Sequence, residues 1–373
     1  MRIAIDARKL HDYGIGTYVR NLVHWLARAQ DDHEYVLVCQ RDDAEGLRAL
    51  GSRFRPVPVA AGQYSIGEQV AVPLALARSR VDVFHAPHYV ISPLTRCRTV
   101  VTIHDCIHLR FPEYLPNRMA YAYARTMMGM AARRSCRVLT VSHASKQDIL
   151  HYLKIPGDKV EVIYNGLDER LARPPTADEM AQVRERFQLT SPFILYAGNI
   201  KPHKNVDRLI EAYSILRRRG IEDAKLLIIG NEISKYPHLR RLVHRFNLHQ
   251  HVRFLGYVPD ATLAALYRLT SVFVFPSLYE GFGLPPLEAM AAGAPVITSN
   301  VSSLPEVVGD AAVLIDPLDA GAIADAMARV LTDSQLRADL VARGRVRTQM
   351  FSWERSVARI REVYLEVGSP TRA

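Results

Sequence analysis

The sequence has no long apolar run, few cysteines and no internal repeat. No apolar stretch approaches the roughly 18 residues that a membrane-spanning helix needs. Residues 1–7 read as a first strand, without the apolar core or small-residue cleavage site of a secretory signal. The four cysteines form no CxxC pair and no metal-ligand spacing, which is typical of free thiols in a reducing compartment. We therefore expect a cytoplasmic protein rather than a secreted or transmembrane one.

Acidic residues are outnumbered in this chain. The 38 Asp and Glu residues stand against 48 Lys and Arg residues, and the formal net charge is +10. A basic chain attracts nucleic acid, anionic membrane surfaces or phosphorylated substrates. Because the sequence has no zinc-finger spacing, no basic leucine-zipper pattern and no aromatic RNA-binding signature, we expect no nucleic-acid partner.

The length and the periodicity of the chain predict two α/β domains. The 373 residues exceed the ~250–300 at which one hydrophobic core stops growing. In both halves, short apolar runs alternate with amphipathic stretches, which predicts parallel, doubly wound sheets. The predicted strands are 2–7, 35–39, 81–86, 99–104, 138–142, 160–163, 193–197, 225–229, 252–254, 272–275, 296–299 and 312–315. The predicted helices are 17–29, 117–135, 205–219, 236–246, 260–267, 286–292, 320–331 and 352–367.

The alternation breaks once, where Asn165-Gly166 and Pro174-Pro175 precede a charged helical segment. We therefore predict a Rossmann-like first domain at 1–170, a linker at 171–190 and a Rossmann-like second domain at 191–350. A final helix within 351–373 is expected to pack back on the first domain. Because ligands bind outside the carboxyl ends of parallel strands, two facing domains of this kind would place the chemistry in a cleft between them.

The most informative segment follows the predicted strand that ends at Phe275. It contains Gly281 and Gly283, then two prolines that suit the first turn of a helix, and Gly293 that suits its end. Glycines let a ligand approach the backbone. A helix N-terminus offers backbone N–H groups and partial positive charge to an anion such as a pyrophosphate.

Two carboxylates accompany this anion site. A carboxylate accepts hydrogen bonds from sugar hydroxyls, so we assign Glu280 to the transferred sugar and Glu288 to the ribose of a nucleotide. The alternative is that Glu280 is solvated and that Glu288 only complements the helix dipole. The strand–loop–helix placement together with the glycines favours the binding site. Glycoside hydrolases also use two carboxylates, but they need no anion site between them.

This segment resembles the E-x7-E signature of retaining glycosyltransferases with the GT-B fold, in particular those of family 4 (group 1). Three further segments match that family in order along the chain: VIYNGLD (162–168), GNIKPHKN (198–205) and LPEVVGDAA (304–312). The resemblance implies retaining, metal-independent transfer of a hexose from a nucleotide sugar, without a resident cofactor. No D-x-D motif of a metal-dependent GT-A enzyme follows an early strand.

The resemblance also assigns site residues. Lys204 would neutralise the leaving diphosphate, with His203 replacing an arginine that the family often carries. His104 would lie near the reacting sugar, while Asp105 and, more weakly, His85 would contact the acceptor. The further expected donor contacts are Gly16, Asn199, Gly281, Phe282, Gly283 and Leu284.

The donor, the acceptor and the activity itself are left with alternatives. Residues 280–286 look most like bacterial mannosyltransferases, so GDP-mannose is the first choice of donor and UDP-sugars remain open. The acceptor is expected to be a glycan or a polyprenyl-linked glycan. The methionines, tyrosines and arginines of 117–137 suit a helix on an anionic membrane, at the inner face, or equally an ordinary helix with a solvated basic face. Other possible activities are those of a sugar-nucleotide epimerase, a phosphorylase or a non-catalytic binding protein.

Overall fold

The computed structural model describes residues 1–62, 65, 67–231 and 233–369. The chain forms two compact units, of which one comprises residues 1–166 with 352–373 and the other residues 167–351. Residues 370–373 of the predicted C-terminal segment lie outside the described residues. Within the described part of the chain, no helix is both long and apolar enough to cross a bilayer.

The first unit is built on a parallel sheet with the strand order β3-β2-β1-β4-β5-β6-β7. Its strands are β1 Arg2–Asp6, β2 Glu34–Cys39, β3 Phe54–Pro58, β4 Val83–Ala86, β5 Arg98–Thr102, β6 Arg137–Thr140 and β7 Val160–Val162. Its helices, numbered with those of the whole chain, are α1 Tyr13–Arg28, α2 Ala44–Arg48, α3 Glu68–Arg78, α4 Ile107–Arg110, α5 Arg118–Arg134, α6 His143–Leu153 and α16 Trp353–Gly368. Two 3₁₀ turns lie at Pro112–Tyr114 and Gly157–Lys159.

The helices of the first unit cover the sheet and bury its apolar strands. Side chains of α3, α5 and α6 form one core with strands β1, β2, β4, β5, β6 and β7. Helix α16 contacts α1, β4 and β5 of this unit. Helix α5 begins after Asn117, whose side chain accepts a hydrogen bond from the Ala120 N–H at 2.9 Å. This cap satisfies one of the N–H groups that every helix start leaves unbonded.

The second unit repeats the architecture with the strand order β10-β9-β8-β11-β12-β13. Its strands are β8 Phe193–Ala197, β9 Lys225–Ile229, β10 Val252–Gly256, β11 Val272–Phe275, β12 Val296–Ser299 and β13 Val313–Ile315. Its helices are α7 Glu169–Ala172, α8 Ala177–Arg186, α9 Val206–Arg218, α10 Pro237–Arg245, α11 Asp260–Leu269, α12 Leu284–Ala291, α13 Leu304–Val308, α14 Ala320–Thr332 and α15 Ser334–Thr348. The 3₁₀ turns are Pro202–Lys204 and Ile233–Lys235. Two parallel-sheet α/β units confirm the predicted fold class.

The segment predicted as a linker, 171–190, lies within the second unit. Helix α8 occupies half of it and packs against α11. The helix starts with a capping box, in which Thr176 and Glu179 bond each other's backbone N–H groups. Val183 supplies the buried contact of this otherwise charged helix, which explains why its charged sequence suggested a solvated connection.

Candidate functional site

Lys204 and Glu280 are brought together at the carboxyl edge of the second sheet. Strands β8 and β11 are parallel neighbours, so the loops that follow them emerge side by side. The first loop carries Lys204 at the end of the turn Pro202–Lys204, and the second carries Glu280. The Lys204 Nζ lies 2.6 Å from the Glu280 Oε1, and the two side chains are 11% and 12% exposed. The nitrogen also lies 5.2 Å above the centre of the Phe275 ring.

The two loops are fastened to each other through Asn205. Its side-chain Nδ2 donates to the carbonyl oxygens of Pro276 at 3.0 Å and Pro317 at 2.7 Å. Asn205 itself has a φ of +59°, a left-handed conformation that asparagine tolerates better than most residues. The Leu278 N–H donates to the His203 carbonyl at 2.7 Å. These contacts fix the backbone on both sides of the ion pair.

Two serines that the sequence analysis did not select hold the loop around Glu280. The Ser302 hydroxyl donates to the Glu280 carbonyl at 2.6 Å, and the Glu280 N–H donates to the Ser302 Oγ at 3.3 Å. The Ser303 hydroxyl lies 2.7 Å from the Phe282 carbonyl and 3.0 Å from that of Glu280. Both serines follow β12, the neighbour of β11 in the sheet. Their position after a parallel strand was the only signal in the sequence that could have identified them.

The start of helix α12 offers fewer donors to an anion than we expected. Pro285 and Pro286 occupy its first turn and carry no N–H. Gly283 and Leu284 at the helix start therefore supply the N–H groups that an anion could use there. Gly283 has a φ of +114°, which favours glycine, and a Cβ at this position would also press on the end of the Leu304 side chain, 2.8 Å from its Cδ2.

The other expected donor contacts lie in the same loops. The Phe282 ring is buried and meets the Phe351 ring edge-on, with 5.6 Å between their centres. Phe282 could therefore contact a ligand only through its backbone. Gly281 is buried beside it, and Asn199 is half-buried with its carbonyl 3.2 Å from the Tyr196 hydroxyl.

Glu288 lies on α12 in an environment that opposes its charge. Burial raises the pKa of its carboxyl to about 7, with further upward contributions from Asp168 and Asp260. The Tyr267 hydroxyl donates to the Glu288 Oε2 at 3.2 Å and, with Arg170, acts in the opposite direction. Arg170 in turn bonds Asp168 at 2.6 Å and Asp260 at 2.9 Å. Near pH 7 the group is therefore divided between carboxylate and carboxylic acid.

His104 follows strand β5 in the first unit. Its Nε2 lies 2.9 Å from the Pro87 carbonyl oxygen, which can only accept, so Nε2 carries the proton. Burial lowers the pKa of the ring, which favours the neutral form with Nδ1 as a hydrogen-bond acceptor. The Tyr18 ring packs edge-on with 4.9 Å between the ring centres. Asp105, the next residue, accepts from the Ile107 N–H at 3.0 Å and so helps to fix the turn into α4.

The expected acceptor contact of His85 is not supported by the structure. His85 is 0% exposed in strand β4. Its Nδ1 lies 2.6 Å from the Tyr364 hydroxyl and its Nε2 2.8 Å from the Thr102 hydroxyl. Because both ring nitrogens are bonded within the core, the residue joins α16 to the sheet and has no nitrogen left for a substrate.

Gly16, another expected contact in the first unit, has a packing role in the structure, and its contact with the donor phosphates stays a prediction. Its N–H donates to the Asp12 carbonyl, 2.6 Å away, inside the first turn of α1. A Cβ at this position would come within 2.6 Å of the Leu10 carbonyl oxygen and 2.9 Å of that of Lys9. The glycine thus lets α1 lie directly against the loop that follows β1.

A buried charge network lies at the ends of β1 and β4 in the first unit. Arg8 bonds Asp6 at 2.7 Å and Glu68 at 3.0 Å, and His88 lies 3.2 Å from Asp6. Burial alone would raise the pKa of Asp6, but the hydrogen bonds from His88 and Arg8 hold it well below its usual range. This network cannot be predicted from a local sequence pattern, because Glu68 is 60 residues from Arg8 along the chain.

No group of three or more His, Cys, Asp or Glu side chains is arranged to hold a metal ion in the described ranges. The charged groups that converge in the second unit are the Lys204–Glu280 pair and the surroundings of Glu288. The Lys204 ammonium can bind a phosphate, and the Glu280 carboxylate beside it can accept hydrogen bonds from sugar hydroxyls. With the second carboxyl group, Glu288, on the next helix, this arrangement suits a phosphorylated sugar compound.

Comparison with known proteins agrees with this arrangement. The family model "Glycosyl transferases group 1" matches residues 178–347, and "Glycosyltransferase Family 4" matches residues 13–171. The chain is 33% identical to the O-antigen chain mannosyltransferase B of Escherichia coli over 91% of its own length and 93% of that protein. It is 32% identical to the serotype-specific mannosyltransferase WbdA of Escherichia coli over 69% of its length, which spans 32% of that longer protein.

Solved structures show the same fold at lower identity. Sucrose-phosphate synthase from Thermosynechococcus elongatus superposes with a TM-score of 0.81 at 22% identity, covering 98% of this chain and 99% of that one. Anabaena HepE in complex with UDP-glucose gives a TM-score of 0.78 at 18% identity, covering 98% and 100%. The chain therefore belongs to the family 4 (group 1) glycosyltransferases, as a hexosyltransferase of the GT-B fold that resembles bacterial mannosyltransferases.

Proposed function

We propose that this enzyme transfers mannose from GDP-mannose to a hydroxyl of a glycan or polyprenyl-linked glycan, with retention of the anomeric configuration. The acceptor belongs to bacterial polysaccharide or glycolipid synthesis, such as the assembly of an O antigen. The observation that carries the proposal is the Lys204–Glu280 pair at the start of α12, which sets a cation for a diphosphate beside a carboxylate for sugar hydroxyls.

The preference for mannose is supported by the relatives. The Escherichia coli proteins with 32–33% identity are named mannosyltransferases. A UDP-sugar is the alternative donor, since Anabaena HepE was solved with UDP-glucose. That likeness is one of fold at 18% identity and weighs less.

The reaction breaks the bond between the anomeric carbon and the diphosphate oxygen, and forms a bond from the same carbon to the acceptor oxygen. The acceptor proton passes to the departing phosphate oxygen. Lys204 and the N–H groups of Gly283 and Leu284 stabilise the charge that develops on the diphosphate. We propose that this charge is met by the protein and that no divalent metal is needed.

Glu280 accepts hydrogen bonds from the hydroxyls of the transferred sugar, and Glu288 accepts from the ribose. His104 accepts a hydrogen bond from a substrate hydroxyl at its Nδ1, because its Nε2 is already committed to Pro87. The first unit takes the acceptor, with Asp105 as a further contact. His203 contacts the diphosphate in the place of the family's arginine, with a weaker grip than a bidentate guanidinium.

A donor and acceptor screen tests the activity. The enzyme is incubated with GDP-mannose or UDP-sugars, with lipid-linked and free glycan acceptors, and products are followed by mass spectrometry. We expect mannose transfer that survives EDTA, with an α-linked product by NMR. Glu280→Gln should lower kcat, while Glu211→Gln on α9 should not. Donor conversion without acceptor would indicate an epimerase, and binding without turnover across the panel a non-catalytic protein.

Peripheral contact with the inner face of an anionic membrane is a second part of the proposal. Helix α5 turns one side to solvent, where Met119 is 82% exposed and Tyr123 is also exposed, with Arg118 and Arg125 beside them. Between residues 110 and 137 the sequence has six arginines and one acidic residue. Exposed apolar side chains among cations suit the interface of an anionic bilayer.

Vesicle flotation tests this contact. We expect the protein to float with phosphatidylglycerol vesicles at low salt and not with phosphatidylcholine vesicles. The double variant Met119→Ser/Tyr123→Ser should float less. The matched double variant Val346→Ser/Met350→Ser, which changes one exposed apolar residue of α15 and one just after that helix, should behave as wild type. Failure of the wild-type protein to bind anionic vesicles would refute the membrane contact.

A further inference from the structure

The cation and the carboxylate that we assign to two different parts of the donor are bonded to each other. The Lys204 Nζ lies 2.6 Å from the Glu280 Oε1. We propose that Glu280 competes with the diphosphate for Lys204, so that the enzyme binds sugar-free nucleoside diphosphate weakly relative to the intact sugar nucleotide. This inference rests on the proposed function, because it uses the donor orientation assigned there.

The Lys204 ammonium would have to be shared between Glu280 and a second anion. One of its directions is taken by Glu280, and the Phe275 ring lies on another side at 5.2 Å. With both side chains nearly buried, water screens the pair poorly. A diphosphate that approaches Lys204 therefore meets the negative charge of Glu280 at close range, and like charges in such a setting repel.

Glu280 has limited means to avoid this encounter. Its N–H and carbonyl are bonded by Ser302, and its carbonyl is also contacted by Ser303. On the other side, Asn205, the residue after Lys204, donates from its side chain to the carbonyl of Pro276. Because the backbone is held on both sides, only rotation of the Glu280 side chain could move its carboxylate away from the ammonium.

Other groups can replace Lys204 only in part. The first turn of α12 lacks the N–H groups of two residues, because these are Pro285 and Pro286. His203 stands where the family often has arginine. The diphosphate therefore depends strongly on the one lysine that Glu280 already occupies.

The sugar removes this conflict. Hydroxyls of the transferred hexose donate to Glu280, so the carboxylate keeps hydrogen-bond partners while Lys204 turns to the diphosphate. After transfer the hydroxyls leave with the product, and Glu280 again faces the diphosphate without a donor. Glu280 thus favours binding of the intact donor and release of the nucleoside diphosphate.

Isothermal titration calorimetry with GDP, UDP and the matching sugar nucleotides tests this inference. For Glu280→Gln and Glu280→Ala we expect the Kd for GDP to fall about three- to tenfold, because the repulsion between the two anions is offset in part by the ammonium that they share. The Kd for the sugar nucleotide should fall less or rise. Glu211→Gln, which removes a carboxylate paired with Arg208 on α9 at 2.7 Å, should leave both Kd values unchanged.

The two Glu280 variants separate charge from hydrogen bonding. Glutamine could donate to a phosphate, whereas alanine cannot, so tighter GDP binding by both variants indicates relief of repulsion. Unchanged or weaker GDP binding by both would overturn the inference, as would the absence of GDP and UDP binding to wild type and variants alike. No turnover is needed, so failure to find a substrate pair, which would count against the proposed function, leaves this result readable.

Discussion

Among individual residues, Glu288 is predicted to make the affinity for the donor depend on pH. Burial and the neighbouring Asp168 and Asp260 raise the pKa of this carboxyl to about 7. If the carboxylate accepts from ribose hydroxyls, protonation removes acceptor capacity. We therefore expect the Kd for the sugar nucleotide to fall as pH rises through 7, and to increase up to tenfold for each pH unit below it.

Calorimetric titration with the sugar nucleotide between pH 6 and 8 measures this dependence. The phosphates of a sugar nucleotide are diesters and do not titrate in this range, so the protein carries the pH effect. Glu288→Gln, which keeps the shape without the charge, should bind weakly and with a flat profile. A Glu288→Gln profile as steep as that of wild type would assign the titration to another group.

His85 predicts a different pH effect, on stability. Burial lowers the pKa of its ring from 6.5 to about 3. Below pH 6.5 the unfolded chain takes up a proton that the folded chain excludes, so folding loses free energy as pH falls toward 3. This loss amounts to about 1.4 kcal/mol per pH unit.

Urea unfolding of wild type and His85→Leu checks this sign. Near pH 7 the variant should be less stable by roughly 2 kcal/mol, because Thr102 and Tyr364 lose a buried partner. The difference should shrink as the pH falls below 6.5. Fluorescence reports on this unit, because both tryptophans of the chain, Trp25 and Trp353, belong to it. If the difference in the free energy of unfolding between wild type and His85→Leu stays constant with pH, the lowered pKa of His85 does not cause the pH dependence of stability.

Two histidines show which contacts of single residues could not be predicted from the sequence. His85 and His104 both stand near the ends of apolar strands, and the pattern places both at the carboxyl edge. What separates them is the partner of His85, Tyr364, which is 279 residues away. No local pattern carries such a contact. The carboxylate–lysine site was predictable because its loops follow neighbouring strands and match family motifs.

At the scale of elements, most strands could be predicted because buried parallel strands are continuously apolar. Strand β3 was missed, since Pro56 and Pro58 interrupt its pattern. Its place at the edge of the sheet, paired with β2 alone, tolerates them because one side of the backbone needs no ladder bonds. Helix α3 was missed for a related reason, as Pro73 lies inside it.

The contact between α1 and the loop before it predicts opposite effects for two nearby glycines. Gly16→Ala would place a methyl group 2.6 Å from the Leu10 carbonyl oxygen, so backbone must shift. We expect a loss of about 1–3 kcal/mol in the free energy of unfolding. Gly14→Ala meets nothing within 4 Å in the same helix, and should be neutral or stabilise by up to ~1 kcal/mol.

Urea unfolding followed by tryptophan fluorescence compares the two alanine variants in one experiment. Because both changes add one methyl group to the first turn of α1, they are matched controls for each other. Equal free energies of unfolding for Gly14→Ala and Gly16→Ala would contradict the close helix–loop contact.

At the scale of the whole molecule, the order of the chain differs from the order of its compact units. The first unit takes its last helix, α16, from the far end of the sequence, after the whole second unit. Helix α16 buries Trp353, Ile360, Val363 and Tyr364. Its Tyr364 hydroxyl also bonds His85 in the sheet. The first unit should therefore be incomplete until the entire chain is present.

Truncation after Phe351 tests this dependence. Each of the four large buried side chains contributes ~2–5 kcal/mol, so the loss of α16 costs about as much as the usual ~5–15 kcal/mol stability of a whole domain. We expect the chain 1–351 to lose the cooperative unfolding transition reported by Trp25, while residues 167–351 keep their fold and their nucleotide affinity by calorimetry. A synthetic peptide of residues 352–369, but not a scrambled one, should restore the transition of Trp25. Retention of the Trp25 transition without the peptide would show that α16 is dispensable for the first unit. Loss of nucleotide binding on truncation would show that the second unit cannot fold without α16.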